Sequence, residues 1–81
     1  MEKNRKTIWV MMNAKGEFIR AYETRENALA DMKAWRNNMA ESGLFPKVSE
    51  ISTVWCDEIS FKVTMRDGQV KKNVARETII Y

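Results

Sequence analysis

Eighty-one residues, 44% hydrophobic and 31% charged, have the length and composition of one ordinary folded soluble domain spanning 1–81, and exclude a disordered chain. No apolar run nears the roughly 18–20 residues of a membrane span, and no hydrophobic stretch follows the basic N-terminus as a signal peptide requires. The net charge of +3 is uneven: Lys3, Arg5 and Lys6 outweigh Glu2 at one end, six basic and eight acidic side chains occupy 8–58, and Lys62, Arg66, Lys71, Lys72 and Arg76 outweigh Asp67 and Glu77 at the other.

In chain order, Met1–Lys6 reads as a polar, frayed start. Thr7–Met12 is β-rich, with Ile8, Val10 and Met12 on one face and Trp9 and Met11 on the other. Asn13-Ala14-Lys15-Gly16 is a turn, because Asn bonds its own backbone and Gly supplies a positive φ. Glu17–Tyr22 returns as the second strand of a hairpin, with Phe18, Arg20 and Tyr22 on one side.

The next stretch predicts a helix over about 24–42. Ala28, Met32, Trp35 and Met39 fall at i, i+4, i+7 and i+11, one narrow stripe at 3.6 residues per turn. Thr24 is a suitable N-cap and Gly43 a suitable left-handed stop, with Leu44 closing onto Met39 and Pro46 barring continuation. Arg25 and Arg36 flank the stripe as stems covering the core edge.

Beyond the connector Leu44-Phe45-Pro46, Lys47–Cys56 reads as an untidy third strand, which a bulge near Ser49-Glu50 would reconcile. Ile59–Arg66 is the cleanest alternation, with Ile59, Phe61, Val63 and Met65 inward. Asp67-Gly68 predicts a two-residue type I′ turn. With Arg66 paired to Gln69, Val70 and Val74 enter the core and Lys72 lies awkwardly inward or at an edge, a conflict that a bulge at Asn73 would resolve. Glu77–Tyr81 reads as a final strand segment. The expected fold is α+β in the order β-β-α-β-β-β, one amphipathic helix on a largely antiparallel twisted sheet.

Chemistry is scarce. The chain has no histidine, which removes the commonest general base, the usual zinc imidazoles and any Ser-His or Cys-His pair. Cys56 is flanked by Asp57 and Glu58, whose negative charge works against the thiolate that a nucleophile needs. As the lone cysteine it has no internal disulfide partner, which favours a reducing, cytoplasmic setting. The glycines stand singly, so no phosphate-cradling loop is present. The expectation is a protein without catalysis, cofactor or metal.

Binding signals remain. Lys62, Arg66 and Lys71 are expected on one outer face, and with Lys72, Arg76 and the Lys3-Arg5-Lys6 arm they form a candidate surface for RNA or DNA. Trp9 and Trp55, expected on the face away from the helix, and Tyr81 are candidates for docking on a protein. An intermolecular sheet through Ile79-Ile80-Tyr81 would make a homodimer.

The stretch TIWVMMNAKGEFIRAYETRENALADMKAW, residues 7–35, a hairpin running straight into an amphipathic helix, resembles the beginnings of small bacteriophage accessory proteins. That resemblance implies a compact inhibitor or adaptor that docks on a host protein or ribonucleoprotein, including host defence systems. A basic RNA- or DNA-binding protein is the alternative.

Overall fold

The computed structural model describes residues 6–80; the candidates Lys3, Arg5 and Tyr81 lie outside them. The elements are β1 (Lys6–Met12), β2 (Phe18–Tyr22), α1 (Arg25–Ser42), β3 (Lys47–Val48), β4 (Glu58–Thr64) and β5 (Val70–Ile80), the β-β-α-β-β-β order of an α+β domain. All strands pair antiparallel in one sheet of order β2-β1-β5-β4-β3. Lys6, expected in the frayed start, instead opens β1 opposite Ile80.

The helix keeps the boundaries its caps dictate. Thr24 accepts the Asn27 amide on its hydroxyl at 3.1 Å, and Gly43 holds φ 73, where a side chain would be strained. Met32 and Ala28 are fully buried on the sheet, with Leu29, Trp35 and Met39 half-buried around them. Leu44, expected to close onto Met39, is instead 61% exposed; Phe45 packs against the core, and the Ser42 hydroxyl bridges the Met39 carbonyl and the Leu44 amide.

The core comprises Trp9 and Met11 of β1, Ile59, Phe61 and Val63 of β4, Ala75 of β5, and Ala28 and Met32 of α1. Trp9 is therefore on the helix side, 4% exposed, and not on the outer face. With apolar residues on both faces of β1, alternation alone does not choose the side. The larger indole and Met11 take the side where the helix seals them, leaving Ile8, Val10 and Met12 on the other.

Two irregularities set which residues share a face. Between β1 and β2 the register slips, so Met11 faces Arg20 but Met12 faces Phe18, which moves Phe18 to the outer side, away from Arg20 and Tyr22. At the β4–β5 turn the Met65 amide donates to the Gln69 carbonyl at 2.7 Å and Gly68 has φ 89, giving a three-residue loop of Arg66, Asp67 and Gly68. The expected two-residue turn is thus wrong by one position, and a one-residue slip exchanges the faces. Val63 faces Lys71 and Phe61 faces Asn73, on the helix side, while Lys62 faces Lys72 and Ser60 faces Val74 on the other. Val70, expected in the core, is 59% exposed, and Val74 is buried but on the outer face.

The expected strand 47–56 shrinks to Lys47–Val48 and a single bridge from Ser52 to Ser60. Val48 pairs with Val63 and Ser52 with Ser60, so an extra residue bulges between them, in the Ser49–Ile51 stretch. Ser49 fixes the bulge: its amide donates to the Lys62 carbonyl and its hydroxyl accepts the Lys62 amide, each at 2.8 Å. Arg36 clamps it from the helix, with Nε on the Ser49 carbonyl and a guanidinium nitrogen on Glu50, each at 3.0 Å.

Candidate functional site

The helix covers one side of the sheet only. On the other, alternation along β4 and β5 aligns Glu58, Ser60 and Lys62 with Arg76, Val74 and Lys72 in three cross-strand pairs. Ile8, Val10 and Met12 continue this face on β1, and Lys6 opposite Ile80 closes it at the far end. Among the strand residues of this face, the cations Lys6, Lys47, Lys62, Lys72 and Arg76 outnumber the one carboxylate, Glu58. Lys62 and Lys72 stand directly opposite one another, an arrangement that costs stability unless something anionic sits between or beside them.

Glu58 answers part of that charge. Lys72 reaches back past Val74 to Glu58 at 3.0 Å, and Arg76 approaches the other carboxylate oxygen at 3.1 Å. The hydrogen bond from Lys72 is the main reason that Glu58 titrates below the usual carboxylate range, with Arg76 adding to it against the cost of burial. Lys62 has no such partner: no described carboxylate lies within 4.0 Å of its ammonium.

Residues Ser49–Asp57 fold beside this corner. Beyond the Ser52–Ser60 bridge, the Glu58 amide donates to the Trp55 carbonyl at 3.2 Å, closing a turn that lifts Val54 and Trp55 off the sheet. Trp55 is 66% exposed. A hollow of about 400 Å³ lies between this loop and the sheet, lined by Ser52, Trp55, Glu58, Ser60, Lys62 and Lys72. An indole, two lysines and three serines, Ser49 among them, therefore line one concavity, together with the carboxylates Glu50, held by Arg36, and Glu58, held by Lys72 and Arg76.

The sequence candidates divide accordingly. Lys62, Lys72, Arg76 and Lys6 share the helix-free face; Arg66 lies in the β4–β5 turn; Lys71, expected on the outer face, lies on the helix side opposite the buried Val63. Trp55 joins the cations, whereas Trp9 is withdrawn into the core and offers no docking surface. Ile79 and Ile80 pair with Thr7 and Lys6, and on their other side β4 has already ended opposite Arg76.

Glu58, Ser52 and Ser60 went unassigned in the sequence. Extending the alternation of Ile59 and Phe61 back by one residue would have found Glu58 beside Ser60 and Lys62. Nothing in the local pattern marks Ser52.

No protein-family model, curated protein or solved structure matches this chain. Among the described residues no three His, Cys, Asp or Glu side chains gather as a metal site requires, and no helix is long and apolar enough to cross a membrane.

Proposed function

We propose that the protein is a non-catalytic binding module that holds single-stranded nucleic acid on the helix-free face of its sheet. The observation that carries this reading is the hollow where the exposed Trp55 indole meets the Lys62 and Lys72 ammonium groups. A base stacks on an indole whatever its sequence, and ammonium groups within reach neutralise the adjoining phosphates, so the combination holds a strand without reading it. Lys62, which has no described carboxylate within 4.0 Å, favours an anionic occupant.

The test is a titration with single- and double-stranded RNA and DNA at two salt concentrations. Single strands are expected to bind more tightly, with affinity falling by roughly 0.7 log units per log unit of salt for each phosphate contacted. Trp55→Ala should weaken binding by about 1–3 kcal/mol. Absence of binding at low salt defeats the reading.

One observation favours a second reading, docking on a protein or ribonucleoprotein of a host: the same face also carries Phe18, 66% exposed, and the exposed Val70, neither of them near enough to the hollow to line it. Under that reading Phe18→Ala abolishes capture of the partner, while Lys62→Ala leaves it intact.

A further inference from the structure

A second concavity lies on the opposite, helix-bearing side. Strand β1 ends at Met12 opposite Val74, and the helix ends at Ser42, so the first residues of β5 have neither strand β1 beside them nor helix above. There a hollow of about 200 Å³ opens beneath the β1–β2 turn. Its floor is apolar: Met39, Phe45, Val63 and Met65.

Its rim is polar in a way the fold does not require. Lys71 and Asn73 occupy helix-side positions of β5, opposite buried Val63 and Phe61. Lys15 comes in from the turn. Among the described residues no carboxylate lies within 4.0 Å of either ammonium. By contrast Asn13, also at the rim, spends its side chain on Lys15, Glu17 and the turn itself. Lys71 and Asn73, both half-buried, place an ammonium and an amide beside the apolar Met39, Phe45, Val63 and Met65, and a few polar groups set against an apolar wall are what a small-molecule site uses.

We infer that this hollow binds a small amphipathic monocarboxylate. The apolar body lies on Met39, Phe45, Val63 and Met65, and the carboxylate accepts hydrogen bonds from the Lys71 ammonium and the Asn73 amide, with Lys15 closing over it. Ammonium-to-carboxylate bonds are the stronger kind, and an apolar setting strengthens them further. The volume is below the roughly 300–1,000 Å³ of drug-sized sites, so the ligand is short.

The experiment is an amide-resolved NMR titration of the whole chain with sodium hexanoate, alongside 1-hexanol, which has the tail without the carboxylate. Hexanoate should give saturable shifts confined to Lys15, Phe45, Met65, Lys71 and Asn73, and hexanol should bind about tenfold or more weakly. Lys71→Met suits the apolar wall and should abolish that preference while leaving hexanol binding unchanged. Lys15→Ala, which removes an exposed side chain and keeps the backbone bond to Asn13, should weaken hexanoate severalfold. Shifts that fail to saturate, that scatter over the surface, or that persist unchanged in Lys71→Met and Lys15→Ala overturn the inference. None of these outcomes depends on the nucleic-acid face, whose residues lie across the sheet.

Discussion

Two tryptophans on opposite sides of one sheet have opposite environments. Trp9 is shut into the cluster with Met11, Met32 and Ile59, while Trp55 stands on a loop with 66% of its surface in water. The one helix produces the difference: strands supply two faces, and a single helix can seal only one. The sealed face stabilises the fold, and the unsealed one carries charge and exposed aromatic surface.

Substitutions should separate those roles. The largest effect is expected from Trp9→Ala, which should cost about 3–5 kcal/mol in a denaturant titration, close to the whole stability of so small a domain. Trp55→Ala should change the same titration by less than about 0.5 kcal/mol and show itself only in ligand binding. Equal losses from the two would erase the distinction between the faces.

Arg36→Ala lies at their border and should cost about 1–2 kcal/mol, because the Ser49 carbonyl and Glu50 lose their partner and the packed stem is removed. Hydrogen exchange should then quicken first across 49–57, the loop that carries Trp55. Lys62→Ala should leave stability equal or higher by a few tenths of a kcal/mol, since it relieves the repulsion with Lys72, yet lower the salt slope of nucleic-acid binding by roughly 0.7.

The smallest effects are in pH. Glu58 is held below the usual carboxylate range by Lys72, so its contribution is present above about pH 4.3 and is lost as pH falls through its native value. Glu58→Gln should flatten stability on that acid limb. On the helix side Tyr22 is raised well above the ordinary phenol range, first by burial and then by its hydrogen bond to Asp31 and that carboxylate's charge, against the opposing effect of Arg20. Its contribution is complete below about pH 10 and is lost as pH rises further. Tyr22→Phe should remove that alkaline loss, read by thermal melting from pH 9 upward.

Much of this architecture was legible in the residues. Thr24, the Ala28–Met39 stripe and Gly43 locate the helix, because capping and amphipathicity are local properties. The alternation of Ile59, Phe61 and Val63 identifies the core face of β4 for the same reason. What was not legible depends on choices that neighbours make. Asp67-Gly68 fits a two-residue or a three-residue loop equally well, and only the pairing of Met65 with Gln69 decides, yet that decision moves Lys71, Lys72, Val70 and Val74 to the faces opposite those expected. Likewise Ser49 replaces a ladder partner with its hydroxyl, which turns an expected ten-residue strand into a bulge and a projecting loop. The candidate site depends on both irregularities, one setting the faces of Lys62 and Lys72 and the other lifting Trp55, which is why these residues were legible as candidates but their convergence was not.

Strand β5 also governs the order in which the molecule can assemble. Its first half pairs with β4 and its second half with β1, and only Val74, Ala75 and Arg76 are paired on both sides. A chain leaving the ribosome makes β1, β2 and the helix early, but β1 lacks its inner neighbour until β5 is released. Pairing Lys6 with Ile80 closes a loop of nearly the full described length, so folding should be slow for the size. Until then the hairpin and helix have no sheet to shelter Trp9, and this nascent interval is when the protein is most exposed to aggregation or to a chaperone.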